Sequence, residues 1–209
     1  MALRAVVFDY GMVLTNPPHP EAQEELARIT GLSHQELDQY YWVDRLAYDR
    51  GDLSGIAYWT KLAADAGLQL SANEIAELSA CDARMWTSIN PAMIAWHAQL
   101  KERGIRTGIL SNMGDSVLER ILEKFAWVED FDALVWSYQH GMVKPDAPIY
   151  RLVLEKLGTA PEETLFLDDK PENIEAAQRL GMHGIQFSTV EQLRADLTSA
   201  GFTAWLPLP

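Results

Sequence analysis

Residues 3–14 read LRAVVFDYGMVL. A valine-rich apolar run, suited to a strand buried on both faces, ends abruptly at Asp9. Asp9 therefore stands at the carboxyl end of a strand, and open α/β sheets bind ligands just outside those ends. Gly11 follows two positions later, so the chemistry of the chain is to be sought around this pair.

Beyond Leu14 the phrase TNPPHP (15–20) can neither prolong the strand nor start a helix before about Pro20. From there to about Trp86 the apolar spacing is helical throughout. It predicts a helix near 20–30, a second opened by the capping box Ser33 to Glu36, a third near 54–66, and a fourth opened by Ser71 to Glu74. Four successive helices predict a small bundle. Asn90-Pro91 then starts a helix that stops at Gly104. Short β-prone runs return at 105–110 (IRTGIL), 132–136 (DALVW), 164–167 (TLFL) and 183–187 (HGIQF), separated by helical stretches near 114–124, 146–157 and 172–180. This alternation predicts an α/β fold with a doubly wound parallel sheet. Residues 1–15 and 88–209 form its core, and 16–87 are a helical insertion. The apolar tail FTAWLPLP is expected to pack on that core, with a dimer contact as the alternative.

The chain has 209 residues, 48% hydrophobic and 22% charged, with a formal charge of −13. Such an acidic balance, without a basic patch, argues against nucleic acid. No stretch approaches the roughly 18 apolar residues of a membrane span, and no signal-peptide pattern precedes Asp9. A cytoplasmic protein, monomer or homodimer, is the expectation. The single cysteine, Cys81, has no disulfide partner within the chain and reads as a small apolar residue on a helix.

Polar groups collect at the carboxyl ends of different predicted strands: Asp9, Ser111 with Asn112, Lys144 and Asp168 with Asp169. In a parallel sheet these ends share one edge, so the residues converge although far apart in sequence. Carboxylates gathered there suit a hard cation such as Mg2+; a lysine and a hydroxyl suit phosphate oxygens. Each residue also has a plainer explanation. Asp169 and Asn112 could cap the helices that follow them, and Lys144 before Pro145 could be an exposed turn residue. Singly those explanations hold; the common edge favours a phosphoryl-transfer site.

The phrases FDYGMVL, ILSN, GMVKPDAPIY and FLDDKPENIEAAQRLGM, in this order, resemble the four motifs of the haloacid dehalogenase superfamily of aspartate-nucleophile hydrolases. The resemblance implies a Rossmann-like core with a small four-helix cap, and a Mg2+-dependent phosphatase acting on a small phosphorylated substrate. Asp9 would be the nucleophile, forming an aspartyl-phosphate that water hydrolyses. Ser111, Asn112 and Lys144 would hold the phosphoryl group, Lys144 also neutralising the nucleophile. Asp9, the backbone carbonyl of Gly11 and Asp169 would bind Mg2+, with Asp168 bound directly or through water.

The departure from the pattern lies at Gly11. Phosphatases of this family usually carry a second aspartate there, which protonates the leaving oxygen and later deprotonates the attacking water. Loss of such a group costs about 10² to 10⁴ in rate. Three explanations compete: a slow phosphatase, or one with an easy leaving group or a borrowed proton donor (Asp44, Asp49, Asp52 or His19); a 2-haloacid dehalogenase; and a catalytically weak member that binds phosphate or a metabolite. The proline-rich phrase 15–20 and the aromatics Tyr40, Tyr41, Trp42, Tyr48 and Trp59 either face the site or fill the core of the insertion. His34, His97, His140 and His183 carry no metal spacing.

Overall fold

The computed structural model describes residues 2–209. Strands β1 (Ala5–Phe8), β2 (Arg106–Ser111), β3 (Ala133–Trp136), β4 (Thr164–Asp168) and β5 (His183–Gln186) form one sheet in the order β3-β2-β1-β4-β5. Every neighbouring pair is parallel. Phe8 lies opposite both Ile109 and Leu167, so the chains leaving β1, β2 and β4 emerge along one edge. The winding reverses beside β1, which opens a crevice at its carboxyl end.

Helices α1 (Pro20–Thr30), α2 (His34–Tyr41), α3 (Arg45–Arg50), α4 (Gly55–Asp65), α5 (Ala72–Met85) and α6 (Pro91–Glu102) lie between β1 and β2. Then α7 (Asp115–Lys124) follows β2, α8 (Ser137–His140) and α9 (Ala147–Leu157) follow β3, α10 (Pro171–Arg179) follows β4, and α11 (Val190–Ser199) follows β5. Alternate strand residues face opposite layers. Val6, Phe8, Ile109 and Leu167 pack under α6, α7 and α11; Ala5, Val7, Leu110 and Phe166 pack under α9 and α10. Double burial explains why these strands read as unbroken apolar runs. The tail joins the first layer: Leu206 is buried there and the Trp96 indole donates to the Pro207 carbonyl at 2.8 Å.

Helices α1 to α5 gather around a third core that includes Leu26, Tyr41, Trp59 and Leu78. Both expected capping boxes form, at Ser33 with Glu36 and at Ser71 with Glu74. The insertion holds five helices where the spacing predicts four. The extra one, α3, is six residues long and lacks an apolar stripe. Tertiary contacts sustain it: Arg45 reaches Asp82 of α5 at 3.3 Å, and the Tyr48 ring stacks on Tyr58 of α4 with centroids 5.0 Å apart.

The insertion docks on the sheet layer through α5 against α7 and α3 against α8. Contact is closest where glycine stands. A Cβ at Gly114 would lie 2.1 Å from the Tyr48 ring, and one at Gly55 would lie 2.3 Å from the Ser116 hydroxyl. The Gly55 N–H donates to Asp115 at 2.9 Å. The two chain crossings into the insertion run side by side: Thr15 bridges Ile89 antiparallel, Asn16 N–H donates to Ser88 O at 2.7 Å, and Asn90 N–H donates to Leu14 O at 2.9 Å. Among the described residues no helix is long and apolar enough to cross a membrane.

Candidate active site

The sheet holds the chain one residue beyond β1, because Asp9 N–H donates to Leu167 O at 2.8 Å. Asp9 Oδ1 accepts from Tyr10 N–H at 2.7 Å and fixes the start of a wide turn over Tyr10–Leu14. Thr15 closes that turn, its N–H donating to Tyr10 O and its hydroxyl accepting from Met12 N–H, both at 3.1 Å. Met12 adopts φ 60°, a left-handed conformation rare outside glycine. Gly11 does not: its φ of −64° and ψ of 140° suit any residue. The constraint at Gly11 is spatial. An added Cβ would lie 3.3 Å from the Trp86 ring, and the buried Tyr10 hydroxyl anchors that residue by donating to Trp86 O at 3.2 Å.

Lys144 is 3% exposed and its ammonium lies 2.9 Å from Asp9 Oδ1 and 2.6 Å from Asp168 Oδ2. The side chain of Asn112 clamps the lysine's main chain, donating to Lys144 O at 2.9 Å and accepting from Lys144 N–H at 2.8 Å. Asn112 thereby positions the lysine, and it also lines the cavity described below. Asp168 has no exposure. Its two oxygens receive Lys144, the Lys170 N–H at 2.9 Å and the Asn173 side chain at 2.9 and 3.0 Å. Asn173 was not singled out from sequence; an asparagine in the first turn of a helix, five residues beyond Asp168, was the available signal. Asp169 is half-buried and lines the cavity described below.

Asp9, Asp168 and Asp169 each present an oxygen within 4.8 Å of the others. Three carboxylates face one ammonium, so the cluster carries excess negative charge. Burial, opposed by Lys144 and reinforced by Asp168, pushes the Asp9 carboxyl up to about 6. Burial and Asp168 raise Asp169 as well. Burial works against the Lys144 charge, but Asp168 and Asp9 outweigh it and hold the ammonium above the ordinary lysine value. Hard oxygen donors with uncompensated negative charge fit a divalent cation.

A cavity of about 550 Å³ opens over Asp9, Gly11, Ser111, Lys144 and Asp169. Its other wall comes from the insertion and the proline-rich segment: Pro18, Trp42, Arg45, Leu46, Asp49 and Trp86. Of the expected aromatics, Tyr41, Tyr48 and Trp59 fill the core of the insertion, whereas Trp42 reaches the cavity. Of the four candidate proton donors, only Asp49 lines it. Asp44 is paired with Lys61 at 2.9 Å, exposed Asp52 with Arg50 at 2.7 Å, and His19 precedes α1 outside the cavity wall.

Asp49 is tied to the loop after β2, since the Ser137 hydroxyl donates to Asp49 O and accepts from Met113 N–H at 2.8 Å. Arg45 Nε donates to Asp49 Oδ1 at 3.0 Å, while its Nη1 lies 3.3 Å from Asp82, which also receives the Tyr41 hydroxyl at 2.7 Å. Two buried carboxylates thus share one guanidinium. Burial, only partly offset by Arg45 and reinforced by Asp82, raises the Asp49 carboxyl above its ordinary value. Elsewhere the plain readings hold: Cys81 is buried and donates to Ala22 O, and His97 stacks on Phe131 at 3.7 Å.

A family profile described as haloacid dehalogenase-like hydrolase matches residues 3–181. The chain is 30% identical to phosphatase MT3486 of Mycobacterium tuberculosis over 215 residues, 96% of each protein. It is 29% identical to the sesquiterpene phosphatase astK of Aspergillus oryzae over 191 residues, 88% of this chain and 90% of that one. Its fold is similar to that of a HAD family enzyme from Bacteroides thetaiotaomicron solved as a magnesium complex, with a TM-score of 0.76 at 23% identity, covering 90% of this chain and 94% of the other.

Proposed function

Because the chain belongs to the haloacid dehalogenase-like hydrolases, we propose that it is a Mg2+-dependent phosphatase of small phosphorylated metabolites, with Asp9 as nucleophile and the helical insertion (16–87) as a cap. One observation carries this reading: a buried carboxylate at the sheet's switch point is paired with Lys144 at 2.9 Å and faces a cavity shared with Ser111 and Asp169. Asp9, Asp169 and the Gly11 carbonyl would hold Mg2+, with Asp168, already hydrogen-bonded at both oxygens, direct or through water. When bound, the cation supplies positive charge opposite the phosphoryl oxygens.

Lys144 aligns Asp9 and balances charge on the incoming phosphoryl group, and Ser111 hydrogen-bonds one of its oxygens. Asp9 attacks phosphorus and the bond to the leaving oxygen breaks. Gly11 has no proton to give; Asp49, the carboxyl group on the opposite wall of the cavity, gives one to that oxygen. As a carboxylate it then takes a proton from the water that attacks the aspartyl-phosphate. The water oxygen leaves in inorganic phosphate, and Asp9 returns as a carboxylate.

The test is phosphate release from aryl phosphates and a panel of phosphorylated metabolites, with and without Mg2+. Metal-dependent release that Asp9→Asn abolishes is expected. Release that survives Asp9→Asn, or none from any substrate, would overturn the reading. Chloride release from 2-haloacids without metal would replace it with a dehalogenase.

A further inference from the structure

A second cavity, of about 400 Å³, lies inside the insertion between α1, α2 and the end of α5. It shares Pro18, Trp42 and Trp86 with the cavity over Asp9, so these three side chains form a common wall. Its buried lining is Leu26, Leu37, Tyr41 and Met85, while Gln23, His34, Gln35 and Asp38 stand exposed around its rim. The wall itself is thinly held. Trp42 is 51% exposed and is fixed by a hydrogen bond from its indole to Asp38 at 2.8 Å and by edge contact with Tyr41. The Trp86 indole N–H is buried without a partner. On the site's own side of the wall, Met12, Leu46 and Val117 continue the apolar lining. Charged groups on that side are Asp9, Lys144 and Asp169 with the adjoining Lys170 and Glu172, and the buried Arg45 and Asp49 pair; the Lys170 ammonium lies 5.7 Å over the Trp42 ring.

In the depth of the second cavity a sugar or nucleotide would place hydroxyls or base edges against Leu26, Leu37 and Met85, leaving them unpaired on desolvation. An aliphatic group would gain from the same surface. We infer that the second cavity is a subsite for the apolar tail of the substrate, a phosphomonoester whose organic part is an extended hydrocarbon chain. The phosphate lies over Asp9 and the chain passes between Trp42 and Trp86. This inference rests on the phosphatase reading for its headgroup, and on the shared wall for its tail.

Burial of each methylene is worth roughly two- to fourfold in affinity. The experiment measures kcat/KM for n-alkyl phosphates from ethyl to octyl, held below their micelle concentrations, against a hexose phosphate. It is repeated with Gln23→Trp and Gln35→Trp, which place an indole at the edge of the second cavity from helix positions exposed to solvent. In the wild type kcat/KM is expected to climb with every added methylene up to a plateau, and to exceed the hexose phosphate value. The two variants should keep ethyl phosphate turnover within about twofold and lose most of the gain for octyl phosphate.

Hydrolysis that is indifferent to chain length, or a chain-length gain that both plugged variants retain, overturns the subsite while leaving the phosphatase standing. If no ester is hydrolysed, calorimetric binding of ethyl- and octylphosphonate in the presence of Mg2+ decides. Tighter octyl binding that Gln23→Trp or Gln35→Trp removes supports the subsite without the activity, and equal binding of the two overturns it.

Discussion

Folding stability in the absence of metal should fall as pH rises through the range in which Asp9 ionises, and a divalent cation should restore it. In the folded protein, burial, opposed by Lys144 and reinforced by Asp168, lifts the Asp9 carboxyl from 3.8 to about 6. A raised carboxyl makes the folded state the stronger proton binder. Its stabilising contribution is therefore complete below about pH 4 and is lost as pH climbs through about 6. Two pKa units correspond to about 3 kcal/mol, or roughly 6–12 °C in Tm for a chain of this size. Asp49 and Asp169, raised as well, act in the same direction, so the wild-type change alone overstates the share of Asp9. The assay is thermal and urea denaturation with chelator at about pH 5 and about pH 8, on the wild type and on Asp9→Asn, whose amide does not titrate. Because Asp9 is already ionised in the unfolded chain at pH 5, about half of that contribution remains to be lost, and the variant should lose about 1.4 kcal/mol less than the wild type between the two pH values. Added Mg2+ should stabilise the wild type at the higher pH, by about 2.7 kcal/mol at a hundred times Kd. If Asp9→Asn loses as much stability as the wild type, the buried-charge argument fails.

Asp49→Asn should slow hydrolysis of alkyl phosphates by about 10² to 10⁴ and barely affect aryl phosphates, whose leaving oxygen needs little protonation. The alkaline fall in alkyl phosphate turnover, set by loss of the Asp49 proton, should vanish in the same variant; equal losses on both ester classes would return Asp49 to a structural role. Gly11→Asp alone presses on Trp86 and should destabilise by about 1–3 kcal/mol in urea. Combined with Trp86→Leu it should turn over ethyl phosphate faster than Trp86→Leu alone, and no gain would mean that the missing carboxylate does not limit the reaction. Asn112→Ala releases both main-chain hydrogen bonds to Lys144 and should cost about 1–3 kcal/mol in denaturation. Unlike Asp49→Asn, it should slow alkyl and aryl esters alike, because it disturbs the lysine rather than the proton donor.

The parts of the molecule legible in sequence are those whose cause is local. β1 is buried on both faces, so 5–8 read as an apolar run and Asp9 as its end. The capping boxes at Ser33 and Ser71 mark helix starts because each closes within four residues. What escaped depends on partners remote in the chain. α3 exists through Arg45, Asp49 and Tyr48, whose companions Asp82 and Tyr58 lie on other helices. Asn112 reads as a phosphate ligand or, more plainly, a helix cap; its two hydrogen bonds to the main chain of Lys144, thirty-two residues away, leave no local signature. Trp86 has no signal of its own; its position against Gly11 follows from the path of the whole insertion. Periodicity also cannot separate a ring buried in a core from a neighbouring one that reaches a cavity, as buried Tyr41 and half-exposed Trp42 show: only Trp42 lines the cavity over Asp9.

The paired crossings at Thr15–Asn16 and Ser88–Asn90 have a mechanical consequence. Two strands bonded side by side resist torsion and lengthwise shear far better than a single tether, and they leave bending across their common plane as the soft coordinate. Tyr48 against Gly114 is a second point of attachment, at which no side chain larger than glycine fits. Held at the paired crossings and at this contact, the insertion is registered against the sheet layer at two places far apart in sequence, and that registration sets Asp49 and Trp42 in the wall across the cavity from Asp9.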